Sequence, residues 1–176
     1  MDRPNYIHHA DLLYLTNDTL GEITFKYALV VVDVASRYVD AEALPNKYAA
    51  NLARAFERIY SRRLSYPKTL MVDEGSEFKG AVNRLIEDND VHIQRGEPGN
   101  KRAQAFAERA NRTIAERLYS HQYVQEMLMD EGRSRVWERR LRRVIAAINR
   151  KPRRNLANET PTEAVDEDEV NVRHVR

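Results

Sequence analysis

Three carboxylates stand where carboxylates are costly. Asp11 interrupts the apolar segment His9-Ala10-Asp11-Leu12-Leu13, Asp73 closes the apolar run Leu70-Met71-Val72, and Glu108 lies on a helical stretch behind a Gly/Pro-containing loop. A carboxylate in a buried strand is expensive unless it is paired or bound to a cation. Each one alone has an ordinary reading as a strand-end cap or a salt-bridge partner. Together, oxygen donors from separate elements suit hard divalent ions such as magnesium or manganese. Two such ions roughly 3.5–4 Å apart can activate a nucleophile and neutralise charge at phosphorus, which is what cleaving a phosphodiester requires.

The elements that must position them follow from the pattern. Ile7–Leu15 reads as a strand, with a turn marked by Asn17-Asp18 and Gly21. Tyr27–Val34 is a continuous β-branched run, as expected of a strand buried on both faces, and Arg37–Leu44 reads as a third strand. Leu52, Ala55, Phe56, Ile59 and Tyr60 recur at helical spacing. Pro67 breaks the chain before a short strand, Thr69–Val72, then a helix over Phe78–Ile86 and a strand over Val91–Gln94. Gly96–Asn100 reads as a mobile loop. A long helix begins near Ala103, with Ala107, Ala110, Ile114 and Leu118 on its apolar stripe. A last helix carries Trp137, Leu141, Val144, Ile145 and Ile148, with Arg139, Arg140, Arg142 and Arg143 opposite. Short links predict an antiparallel meander of three strands, followed by alternating helices and strands in an α/β layer. Residues 1–165 form the expected domain and 166–176 an acidic, flexible tail.

Composition narrows the classes. The chain of 176 residues has no cysteine, which excludes disulfides and cysteine zinc sites and fits a reducing, intracellular setting. The run Tyr27–Val32 is too short to span a membrane, and the first residues do not resemble a signal peptide. Net charge is +2, yet residues 95–154 hold 16 Lys/Arg against 7 Asp/Glu. That asymmetry suits a polyanionic partner, or equally helix faces kept soluble by arginine.

The segments Ala10-Asp11-Leu12, Val32-Asp33-Val34-Ala35-Ser36-Arg37-Tyr38, Val72-Asp73-Glu74-Gly75-Ser76-Glu77-Phe78 and Gln104-Ala105-Phe106-Ala107-Glu108-Arg109-Ala110-Asn111-Arg112 resemble the catalytic core of retroviral and retrotransposon integrases, the DDE superfamily. The ending Asn158-Glu159-Thr160-Pro161-Thr162-Glu163-Ala164-Val165 resembles it too. The likeness runs over roughly residues 5–165, and 34 residues separate Asp73 from Glu108, close to the family's spacing. Integrases of large cellular DNA transposons, the Maverick/Polinton group, look at least as similar.

The resemblance implies an RNase H-like fold: a mixed sheet of three antiparallel and two parallel strands flanked by helices. It implies a polynucleotidyl transferase with nuclease and strand-transfer activities, acting in transposition or DNA integration. Asp11, Asp73 and Glu108 would be catalytic and hold two magnesium (or manganese) ions when DNA is bound, with Asp11 bridging. Element ends and target DNA would be the partners, within a homodimer or larger homo-oligomer, in a nuclear or nucleoprotein setting or a viral particle. Gln104, Glu108 and Arg112 share one helix face, so Gln104 and Arg112, with Lys101, Arg102 and Asn111, are candidate DNA contacts. The alternatives are an RNase H-like nuclease without strand transfer, and a domesticated, non-catalytic integrase-like binding domain.

Some features depart from the pattern. Glu74 stands where an amide is frequent, the loop before Glu108 is one residue short, and the family's zinc-binding and C-terminal barrel domains are not in this sequence. Asp33, His8 and His9 are weaker ligand candidates, although strand alternation puts His9 on the face of Asp11. Glu77 and Glu116 read as surface charges. Trp137 reads as a core or dimer anchor.

Overall fold

The computed structural model describes residues 3–96, 101–129 and 136–171, with residues 101–104 described as backbone only. Five strands form one sheet in the order β3-β2-β1-β4-β5. Strands β1 (Ile7–Leu20), β2 (Ile23–Asp33) and β3 (Val39–Leu44) pair antiparallel, while β4 (Thr69–Val72) and β5 (His92–Arg95) join in parallel. This is the expected mixed sheet of three antiparallel and two parallel strands.

Alternation along the strands assigns residues to two layers. Ala10, Leu12, Leu29, Val31, Leu70 and Val72 face α1 (Ala49–Tyr60) and α2 (Ala81–Asp88). Helix α1 buries Leu52, Ala55, Phe56, Ile59 and Tyr60, the face its spacing foretold. Fully burying one such Leu, Phe or Ile side chain contributes about 1.5–3 kcal/mol. On the other side, Leu13, Ala28, Val30 and Val32 pack against α3 (Lys101–Leu128) and α4 (Trp137–Asn149), through Ile114, Leu118, Trp137, Leu141, Ile145 and Ile148. No helix among the described residues is long and apolar enough to cross a membrane.

Three of the boundaries that differ from expectation have a clear physical reason. Strand β1 runs through Asn17-Asp18 to Leu20, with an irregularity between Tyr14 and Asp18, and the chain turns at Gly21 in the left-handed region (φ 62°). Asp18 is buried because its Oδ2 accepts the backbone N–H of Glu138 at 2.9 Å, in the first turn of α4. Trp137 reinforces that junction by donating its Nε1–H to the Thr16 carbonyl at 2.6 Å, so it is a core anchor. Strand β3 starts at Val39, since residues 34–36 form a turn that Arg37 leaves in the left-handed region (φ 62°). The helix expected over Phe78–Ile86 is a 3-10 turn, Ser76–Phe78, followed by α2 after Gly80 (φ 59°).

The expected loop Gly96–Asn100 falls, beyond Gly96, outside the described residues. At the other end, a capping box formed by Thr160 and Glu163 opens the short helix α5 (Pro161–Ala164). The chain stays packed beyond it. Arg63 pairs with Asp166, and Val170 is buried with Leu156 and Ala164. Residues 172–176 lie outside the described residues.

Candidate active site

Strand register brings the first two carboxylates together. The parallel pairing of β1 with β4 matches His9 with Met71, so continuing it by two residues sets Asp11 beside Asp73. By alternation, His9, Asp11, Met71 and Asp73 share the sheet face covered by α3. Helix α3 then delivers Glu108 from its second turn. His9, Ala10, Asp11, Met71, Val72, Asp73, Gly96, Ala107 and Glu108 line one cleft. The structure therefore gathers Asp11, Asp73 and Glu108 around one opening, with Asp11 half-buried at its floor and the other two exposed at its rim.

The electrostatics match that geometry. Burial raises the Asp11 pKa to about 6; a hydrogen bond from the Leu12 N–H opposes the rise, and the charges of Asp73, Glu108 and Glu77 add to it. Asp11 Oδ1 accepts the Leu12 N–H at 2.7 Å, and its Oδ2 accepts a bond from Asn111 Nδ2 at 2.7 Å. The Asn111 Oδ1 atom is buried and has no hydrogen-bond partner. Asn111, expected at DNA, thus sits on Asp11, one helical turn past Glu108. Glu77, read as a surface charge, is half-buried and within the field of Asp11. Neither role had a signal in the sequence beyond proximity to Asp73 and Glu108.

Hard oxygen donors crowded around Asp11, whose charge they disfavour, suit a divalent cation, which would relieve the repulsion. As they stand, no group of three or more His, Cys, Asp or Glu is close enough to hold an ion among the described residues.

The other candidates separate clearly. Asp33 is fully buried and accepts bonds from the Asn5 N–H (2.9 Å), the Ser36 N–H (2.8 Å) and the Ser36 hydroxyl (2.5 Å). Its carboxylate clamps the turn after β2. His8 is buried on the opposite face from the cleft, with Nε2 3.5 Å from Asp33 and Nδ1 sharing a 3.2 Å hydrogen bond with the Tyr60 hydroxyl. His9 lines the cleft and meets Phe106 edge-on, with ring centroids 5.6 Å apart. Burial, then Arg37 and His8, lowers its pKa to about 4. Arg112 and Glu116 are exposed on α3. The side chains of Lys101, Arg102 and Gln104 lie outside the described residues. On α4, Arg140 meets His121 and Arg142 stands 3.6 Å from Glu42, while Arg139 and Arg143 are exposed.

Residues 1–101, more than half of the chain, match the family model described as the integrase core domain. The chain belongs to the integrase core domain family. The matched span includes Asp11 and Asp73 and ends before Glu108. Among solved structures, this integrase core is similar to a chain of the simian T-cell lymphotropic virus intasome in complex with PP2A regulatory subunit B56 gamma. The TM-score is 0.74 at 16% identity, covering 94% of this chain and 55% of that one. It is also similar to the HTLV-2 integrase catalytic core domain in complex with magnesium, trimeric form (TM-score 0.69, 16% identity, covering 92% and 97%). A third is the catalytic core domain of BIV integrase (TM-score 0.65, 22% identity, covering 90% and 92%). This integrase core spans about half the length of the intasome chain and nearly all of the two isolated cores. Likeness at these identities shows the fold, which is the RNase H-like fold of integrase cores. No curated protein sequence matches the chain.

Proposed function

We propose that this integrase core is a metal-dependent DDE polynucleotidyl transferase that processes DNA 3′ ends and joins them to target DNA. The observation carrying the reading is the meeting of Asp11, Asp73 and Glu108 at one cleft, from two neighbouring strands and the helix that covers them. Asp11, Asp73 and Glu108 would together hold two magnesium or manganese ions once DNA is in place. Those ions would supply an activated water or 3′-hydroxyl and neutralise charge on the scissile phosphate.

The chain's own groups do the rest. Asn111 fixes the orientation of Asp11 through its 2.7 Å bond. Glu108 rides on a helix anchored by Ala107, Ile114 and Leu118, so its carboxylate is presented from a rigid element. His9, with its pKa lowered to about 4, stays neutral at working pH and adds no cation to the cleft. Arg112, Lys101, Arg102 and Gln104 would hold the DNA end by phosphate contacts, which position a strand without reading its sequence. A homodimer or larger assembly in a nucleoprotein setting completes the reading. The HTLV-2 core has both trimeric and dimeric forms.

A branched DNA that mimics an integration product tests the reading through its products. Religation of the target strand with release of the end, by direct transfer, is the expected outcome. Hydrolysis alone, with no religated strand, would instead assign an RNase H-like nuclease.

A further inference from the structure

We propose that Arg37, Arg109, Arg117 and Arg153 form a phosphate-binding track that seats a DNA strand alongside the catalytic cleft. The four come from three places in the chain: the turn after β2, helix α3, and the segment after α4. Arg37 lays its guanidinium 4.1 Å from the centre of the Phe106 ring, and Arg109 stands over the same ring at 5.5 Å. Phe106 in turn packs edge-on against His9, a wall of the cleft. The track thus begins one aromatic side chain away from the wall of the cleft.

Its members are poorly neutralised. Arg109, Arg117 and Arg153 form no ion pair among the described residues. Arg109 donates only to the Ala105 carbonyl of its own helix. The Nε atoms of Arg37 and Arg153 are buried with no hydrogen-bond partner. Arg37 has Asp33 nearby, but that carboxylate is already engaged with Asn5 and Ser36. Burial depresses the pKa of Arg37 to about 10; Asp33 counters this, and Arg109 and Arg153 press it lower. Burial and then Arg117 depress that of Arg153. Arg37, Arg117 and Arg153 are half-buried, so water screens their charge less than it would on a fully solvated face. A polyanion provides counter-charge, and planar guanidinium forks match phosphate oxygens.

The spacing suits a strand more than a single anion. Arg109 and Arg117 lie two helical turns apart, a rise of about 12 Å, which covers three or four phosphates at about 3.4 Å of duplex axis per phosphate. Thr113 lies between them at the same four-residue step.

The identity of the strand rests on the proposed DNA-transfer reading, but the binding does not need catalysis. The test is the affinity of the chain for a short labelled DNA duplex, without metal, across a series of salt concentrations. Every phosphate that a variant no longer neutralises lowers the slope of log affinity against log salt by about 0.9. The double variant Arg117→Gln/Arg153→Gln should lose about two units of slope and Arg117→Gln alone about one. A control pair on the far layer, Arg54→Gln/Arg84→Gln, should lose none. The single variant guards against misfolding at the half-buried Arg153. An unchanged slope in both test variants would overturn the track, as would a wild-type chain with no salt-sensitive DNA binding. Displacement of the duplex by pyrophosphate at equal phosphate concentration would also overturn it, in favour of an isolated anion pocket. A chain that joins no DNA yet shows the slope losses would sink the transferase reading and leave the track standing.

Discussion

Asn111 donates a 2.7 Å hydrogen bond to Asp11 across 100 residues of sequence, tying helix α3 to the central strand at the floor of the cleft. Losing it would free the Asp11 carboxylate to rotate and leave a half-buried oxygen without its donor. Partners that orient a ligand typically account for 10–100-fold in metal affinity or activity. Asn111→Ala should therefore weaken manganese binding by about that factor in a calorimetric titration with DNA present, with far-ultraviolet circular dichroism unchanged. Wild-type affinity in the variant would remove Asn111 from the account.

Asp11 also links the site to stability. Its folded pKa of about 6 lies above the usual carboxylate value, because burial and the neighbouring carboxylates disfavour its charge. A raised carboxylate pKa costs the folded state nothing below about pH 4 and the full penalty above about pH 6. Stability from this group therefore falls as pH rises through that window. Asp11→Asn should raise the metal-free unfolding free energy at pH 7.5 by on the order of 1–2 kcal/mol, a figure discounted for solvent screening. The gain should vanish near pH 4. Urea denaturation at both pH values measures it, and an equal gain at both would show that charge is not its cause.

Asp33 resembles a fourth site carboxylate but holds the fold. Its removal takes the acceptor from the Asn5 N–H, the Ser36 N–H and the Ser36 hydroxyl, and the neighbouring carboxylate from His8 Nε2. Asp33→Ala should cost roughly 2–4 kcal/mol in urea denaturation. Divalent-ion affinity, measured on the folded fraction at low temperature, should stay at the wild-type value. Loss of metal binding with stability intact would reverse the assignment.

Asp18 caps α4 from a strand 120 residues away. Asp18→Ala should cost about 0.5–2 kcal/mol, as helix caps generally do, and Asp18→Asn much less. Equal losses in the two variants, by thermal melting, would show that the side-chain acceptor is not what matters.

How much of this was legible in the sequence depended on the range of the forces involved. The α1 face, from Leu52 to Tyr60, is written in local spacing and folds as expected. So does the continuous run in β2, since a strand covered on both faces needs no alternation. Asn17-Asp18 misled because turn composition is a local signal, whereas Asp18 is buried to serve a distant helix end. The three carboxylates were visible as acids in costly places, and strand register with helix packing supplied their common cleft. The tie of Asn111 to Asp11 and the nearness of Glu77 to it had no local signal, because Asp11 is far away in sequence. Arg37, Arg109, Arg117 and Arg153 are scattered singly, and only folding sets Arg37 and Arg109 over one ring, Phe106.

The central claim is that Glu108 works with Asp11 and Asp73 on divalent ions. The most direct measurement is resolution of a branched integration-product DNA in magnesium and in manganese, by the wild-type chain and by Glu108→Gln. Metal-dependent resolution by the wild type, lowered at least about a hundredfold in the variant, is the predicted result. Resolution that survives in Glu108→Gln, or that proceeds equally in chelator, would contradict the claim.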